Sequence, residues 1–134
     1  MAKIVVKDVT KRFVESRTGS VVTAIEDINF SIDEGQFVCL VGPSGCGKST
    51  MLNILAGLET PSSGTVILNG NPVVGTGPDR IIVFQENALF PWLRVIENVE
   101  FGLKMAGVDK AKRYEIAIRY LDMMQLTKFA QYYI

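Results

Sequence analysis

Gly42-Pro43-Ser44-Gly45-Cys46-Gly47-Lys48-Ser49-Thr50 contains the pattern G-x-x-x-x-G-K-[ST], a loop built to hold phosphate. Glycines at 42, 45 and 47 let the backbone curl until successive N–H groups face one point, and a helix starting there adds partial positive charge. In such a nest Lys48 neutralises the β- and γ-phosphates as a point charge, the Ser49 hydroxyl completes magnesium coordination, and Thr50 adds a phosphate hydrogen bond. Pro43, Ser44, Gly45, Cys46 and Gly47 supply the main-chain wall. A flexible glycine-rich turn is the plainer reading of the same letters, and the flanks decide between the two. Phe37-Val38-Cys39-Leu40-Val41 is a continuous apolar run of the kind buried on both faces of a parallel sheet. Ser49 to Ala56 reads as a helix with Met51, Leu52, Leu55 and Ala56 apolar and Gly57 as its stop. Strand, loop and helix are the context the motif requires. Cys46 is either a thiol open to modification or an unreactive small residue at a permissive site.

Toward the N-terminus, Lys3 to Thr10 is rich in Ile and Val and reads as a strand, with Thr18-Gly19-Ser20 as turn chemistry before a β-prone stretch from Val21 to Ala24. These suggest an antiparallel entry sheet. From Ile28 to Asp33 the period is two, with Ile28, Phe30 and Ile32 on one face. On the other side of the loop, Val66-Ile67-Leu68 leads into Asn69-Gly70, a pair that tolerates the positive φ angles of a tight hairpin. Residues 71–80 are irregular, and Ile81-Ile82-Val83-Phe84 is a second buried-type strand ending at Gln85. Helices come next at Val95 to Met105 and Lys110 to Met124, the second capped by Asp109 and carrying Ala111, Tyr114, Ile118 and Leu121 at helical spacing. Asp122 falls within that spacing and reads as a solvated helix charge. The fold class is α/β.

Composition narrows the chemistry. The chain has 134 residues, 48% hydrophobic and 21% charged, enough for one globular unit with a buried core. Lysines and arginines number 14, as do the acidic residues, so no basic field is available to hold nucleic acid. There is no histidine, which removes Ser-His-Asp triads and His-ligated zinc. Two cysteines outside any C-x-x-C pair give no disulfide framework and fit a reducing cytoplasm. No apolar run reaches the length of a signal peptide or membrane span.

The loop by itself does not separate GTPases, kinases, helicases and transport ATPases. No Asn-Lys-x-Asp reads guanine, and no Arg-rich lid suggests a nucleoside kinase. Downstream of the loop stand Leu55-Ala56-Gly57-Leu58 with Pro61-Ser62-Ser63-Gly64, then Val83-Phe84-Gln85, Leu89-Phe90-Pro91-Trp92-Leu93 and Glu97-Asn98-Val99. With the loop, these segments resemble the nucleotide-binding subunits of ABC transporters over nearly the whole chain. Pro78-Asp79-Arg80 and the 89–93 segment are similar to the importers for nitrate, taurine and aliphatic sulfonates. The resemblance implies a P-loop NTPase with a RecA-like core and an N-terminal antiparallel β subdomain, here incomplete. It also implies ATP and Mg2+ as cofactors.

Further roles are implied by the same resemblance. Phe13 matches the aromatic position on which adenine stacks, against the alternative of a core or hairpin side chain. Gln85 matches a glutamine that reaches the magnesium and the attacking water, and joins Lys48 as a catalytic candidate and Ser49 as a metal ligand. The segment after Gln85 would dock on transmembrane permease subunits, with Phe90, Pro91 and Trp92 as an apolar surface, although a lone Trp commonly packs in a core. A second ATPase subunit would complete a dimer on the cytoplasmic face of the membrane. Arg94 stands where a capping Ser or Thr is usual, so the helix from Val95 is expected to start loosely.

Hydrolysis in this family needs a Leu-Ser-Gly-Gly signature, the Walker B acidic strand end with its glutamate, and a switch histidine, and none occurs in these 134 residues. Residues 1–134 are therefore expected to be the N-terminal portion of an ABC-type ATP-binding domain. The competing expectation is a truncated, nonhydrolytic nucleotide-binding module. If residues 1–134 were all that exists, an unpartnered edge of the parallel sheet is expected to make the chain poorly soluble.

Overall fold

The computed structural model describes residues 2–86 and 88–134. The chain divides into two compact units, one ending at Val83 and one beginning at Phe84. In the first, strands β1 (Ala2–Val14) and β2 (Val21–Asp33) pair antiparallel, β3 (Ser63–Leu68) pairs antiparallel with the other edge of β1, and β4 (Asn71–Pro72) comes last, giving the order β2-β1-β3-β4. The β3–β4 reversal has Asn69 at φ 50° and Gly70 at φ 83°, the two positive angles a tight hairpin of this kind demands.

The two β-prone stretches expected at 21–24 and 28–33 are one strand. They are joined through Asp27 at φ 48°, facing an irregularity in β1 where Asp8 stands at φ 51°. Left-handed backbone costs a non-glycine residue about 1–2 kcal/mol, and side chains offset it here. Asn29 Oδ1 accepts the Asp8 N–H at 2.8 Å, Asn29 Nδ2 donates to Asp27 Oδ1 at 3.0 Å, and the buried Thr10 hydroxyl accepts the Asp27 N–H at 3.1 Å. Beyond this double bulge the expected alternation holds, with Ile28, Phe30 and Ile32 on the half-buried face.

Helix α1 (Lys48–Ala56) lies on this sheet. Met51 and Ile54, one turn apart, join Val6, Val9, Ile25 and Val66 in a single core cluster. Leu52, expected inside, is 48% exposed, because the buried stripe runs through 51 and 54 and Leu52 sits at the rim of an open hollow that it lines with Ile4, Val66 and Leu68.

The expected parallel strands are absent. Residues 37–41 and 81–84 are irregular, and Phe37, Val41, Ile81 and Val83 are each at least 90% exposed. A strand exists only as part of a ladder, and among the described residues neither run has a pairing neighbour. Apolar composition alone does not make a strand.

The second unit is helical. Helix α2 (Val95–Met105) and helix α3 (Lys110–Met123) pack around Ile96, Ala117, Leu121 and Ala130, with a 3₁₀ turn at Thr127–Phe129 after them. Asp109 caps α3 as expected, its carboxylate accepting the Ala111 N–H at 2.9 Å, and Asp122 is exposed on the same helix. The buried face of α3 runs through Ala117 and Leu121, while Ala111 and Tyr114 are exposed. The difference arises from Arg113, which is drawn inward to Glu100 of α2 at 3.0 Å, with side chains only 18% and 13% exposed.

The start of α2 is not loose, which corrects the expectation built on Arg94. Glu97 reaches back to accept the Arg94 N–H at 2.7 Å, one half of a capping box. The Val95 and Ile96 N–H groups donate to the Tyr132 and Ala130 carbonyls at 2.9 and 3.0 Å. Tail carbonyls thus do what a capping side chain would do. Among the described residues no helix is long and apolar enough to cross a membrane.

Ile54→Ala should destabilise the first unit by about 3 kcal/mol, and Leu52→Ala by less than about 1 kcal/mol. Urea unfolding followed by circular dichroism measures both, and equal losses would contradict the packing described here.

Candidate nucleotide-binding site

The loop of residues 42–47 ends in Gly47, which serves as the N-cap of α1 at φ 90°. This angle and its surroundings exclude any side chain. A Cβ on Gly47 would lie 2.3 Å from Ile25 Cγ2 and 2.6 Å from the Ala24 carbonyl oxygen, so the loop is pressed directly on β2. Gly45 also has positive φ, at 80°, but open space around it. A Cβ on Gly42 would lie 2.7 Å from Cys46 Sγ. Beneath the loop is a hollow with apolar walls from Ile28, Phe30, Leu40, Val41 and Met51.

The donor set fits an anion. Within the loop the Cys46 N–H reaches the Pro43 carbonyl at 3.5 Å and the Met51 N–H reaches the Gly47 carbonyl at 2.9 Å. Among the described residues the backbone N–H groups of Gly45, Gly47, Lys48, Ser49 and Thr50 have no protein acceptor. The first turn of α1 carries no acidic residue to take them. Unused amides at a helix start with no acidic residue in its first turn suit a phosphate group.

Lys48 lies across this loop. Its Nζ donates to the Gly42 and Pro43 carbonyls at 2.7 and 2.6 Å and lies 3.5 Å from Cys46 Sγ. The thiol of Cys46 is exposed. Ser49 is exposed at the loop's edge and Thr50 is half-buried.

Phe13 lies near the end of β1 opposite Val22, 39% exposed and outside the core cluster. The Lys11 ammonium sits 4.9 Å from its ring centroid, and Lys11 is itself held by Glu59 at 2.7 Å and the Thr60 carbonyl at 2.8 Å. The core alternative for Phe13 is therefore removed. The structure places Phe13 and residues 42–50 in the first unit and Gln85 in the second. Gln85 is exposed on an irregular segment, with no strand ahead of it.

In the second unit, the 89–93 segment is organised by a residue whose role its sequence position alone did not reveal. Asn98 on α2 accepts the Phe90 N–H at 2.9 Å, and its amide donates to the carbonyls of Phe90, Leu93 and Arg94 at 3.1–3.3 Å. Phe90 stacks on Phe101 with centroids 4.5 Å apart, leaving Trp92 69% exposed. Trp92 is not a core residue. Asn87, in the segment expected to dock on a partner, lies outside the described residues.

The ABC transporter family matches residues 25–133, and the chain belongs to that family. Its relatives include the nitrate import ATP-binding protein NrtD of Synechocystis, 49% identical over 128 residues, which covers 96% of this chain and 47% of that protein. The taurine import ATP-binding protein TauB of Burkholderia pseudomallei is 46% identical over 134 residues, covering 100% of this chain and 51% of that protein. The chain thus spans about half the length of the curated relatives it matches. A solved dimeric ATP-binding cassette, MJ0796, in a post-hydrolysis state bound to ADP and Pi, superposes with a TM-score of 0.81 at 32% identity, covering 97% of this chain and 61% of that one. The α/β P-loop ATPase class expected from the sequence is borne out, in partial form.

Gly47→Ala should lower the stability of the first unit by more than about 2 kcal/mol, whereas Gly45→Ala, with only the backbone angle against it, should cost about 1 kcal/mol. Urea denaturation of both variants is the check, and the reverse order would contradict the contact with β2.

Proposed function

We propose that the chain is the N-terminal portion of the ATP-binding subunit of an ABC importer, coupling MgATP binding and hydrolysis in the whole protein to solute uptake. The observation that carries the reading is the set of unbonded amides of Gly45, Gly47, Lys48, Ser49 and Thr50, with the Lys48 ammonium held on the carbonyls of the same loop. In this reading Pro43, Ser44, Gly45, Cys46 and Gly47 wrap the phosphates, and Lys48 turns from the Gly42 and Pro43 carbonyls to the β- and γ-oxygens. The Thr50 hydroxyl adds a hydrogen bond. Phe13 offers a half-open ring to adenine. Ser49 would hold the magnesium through its hydroxyl, with Gln85 as a second ligand and orienting group for the attacking water. Magnesium held there would supply positive charge against the charge that develops on the phosphate oxygens.

Similarity to a nitrate and a taurine import ATP-binding protein supports the importer class for nitrate, sulfonates or taurine. It also supports permease subunits as partners of the exposed Trp92 segment, a second copy of the ATPase subunit, and a place on the cytoplasmic face of the membrane. For the 134 residues by themselves the reading is binding without turnover, because they contain neither a histidine nor a Leu-Ser-Gly-Gly stretch.

Titration with a fluorescent ATP analogue tests this reading. Binding should require Mg2+, show no preference for a guanine analogue, and weaken about 100-fold in Lys48→Ala, a loss of about 2.8 kcal/mol. Unchanged affinity in Lys48→Ala would refute it. In the same assay Phe13→Ala should cost about 1–3 kcal/mol of affinity, as expected for loss of an aromatic stack on a base. An unaltered affinity would leave Phe13 as a hairpin side chain.

A further inference from the structure

We propose that Arg80 is a positioning residue for the phosphate loop: by clamping the C-terminal end of α1 it sets where that helix presents Lys48 and Ser49. The inference rests on the reading of residues 42–50 as a nucleotide cradle.

The geometry of Arg80 is that of a clamp with three attachments. Its Nε donates to the Ala56 carbonyl, the last residue of α1, at 3.2 Å. Its Nη1 donates to both carboxylate oxygens of Asp79, at 2.8 and 2.9 Å, and its Nη2 donates to the Gly75 carbonyl. The side chain is 17% exposed. The helix end and the 73–80 loop also touch directly, since a Cβ on Gly57 would lie 1.8 Å from the Gly75 carbonyl oxygen. One guanidinium therefore joins the end of α1 to the loop it abuts. A cation on the terminal carbonyls of a helix is also favoured by the helix dipole. Lysine could supply that charge but not the planar fork that reaches three acceptors in fixed directions.

The clamp matters because packing restrains α1 weakly against tilt. Its fully buried side chains are Met51 and Ile54, both in the core cluster, with Leu55 only partly buried beside them, while Leu52 is half open. A helix of nine residues is about 13 Å long, so a tilt of about 10° about its middle moves the Lys48 end by about 1 Å. A displacement of that size at a site that depends on alignment is enough to impair it. Arg80 holds the far end of this lever.

The test uses the 134-residue chain, with amide hydrogen exchange and fluorescent MgATP-analogue affinity both measured at a temperature where circular dichroism shows each variant folded. Arg80→Ala should speed exchange of the Met51 amide, which closes the first turn of α1 on Gly47, while β1 amides keep their protection. It should weaken analogue binding about tenfold. Arg80→Lys should restore part of both. Asp79→Ala, which leaves the bonds to Ala56 and Gly75, should change neither by more than about twofold. Exchange that rises equally in β1 would show a general loss of stability and overturn the proposal, as would unaltered affinity and unaltered Met51 exchange in Arg80→Ala. Exchange needs no nucleotide, so a wild-type chain that binds none would refute the nucleotide reading while the Met51 result still decides the clamp. Should Arg80→Ala not fold, Arg80→Lys is read against wild type in its place, with the same direction and smaller size expected.

Discussion

The contact of Gly47 with the Ala24 carbonyl and Ile25 is the constraint on which the first unit turns. It brings the start of α1 against β2 with no side chain between them, and so fixes both the curl of residues 42–47 and the register in which Met51 and Ile54 enter the core. Because the N-cap is a left-handed glycine and not a Ser or Asp, no side chain consumes the first amides of the helix. A capping side chain would stabilise the helix by about 1 kcal/mol and remove the donors that a phosphate needs. In the proposed reading the loop forgoes that stability for binding capacity.

The second unit solves the opposite problem. At the start of its helix α2 the Arg94, Val95 and Ile96 amides are engaged, through Glu97 and through the Tyr132 and Ala130 carbonyls. Asn98 then ties the preceding loop to the helix by four hydrogen bonds, and Trp92 is held outward from it. A large aromatic group fixed in an exposed position on an ordered loop loses little entropy when a partner covers it. That is the physical content of reading the segment as a docking surface.

Elements that depend on local chemistry were legible in the sequence. The motif at 42–50, the Asn69-Gly70 hairpin, the Asp109 cap and the spans of both helices of the second unit were readable from residue types a few positions apart. What required distant partners was not legible. Phe37–Val41 and Ile81–Phe84 have strand composition, yet a ladder depends on neighbours that the described residues do not provide. The α3 face is set by the Glu100–Arg113 pair across two helices, and the α2 start by carbonyls more than thirty positions on. At the candidate site, the residue types at 42–50 were readable one by one. The engagement of Lys48 with two carbonyls and the clamp of Arg80 on Ala56 emerge only in three dimensions.

The way Lys48 is held has a kinetic meaning. Its ammonium already faces two carbonyl dipoles, and the chain as a whole carries no net charge. The far field that would draw an anion in from solution is therefore small, and under the proposed nucleotide reading an arriving phosphate would swap places with main-chain oxygens instead of falling into an open positive well. Capture would then be a short-range exchange of hydrogen-bond partners, governed by contact geometry and with an encounter rate only weakly dependent on ionic strength.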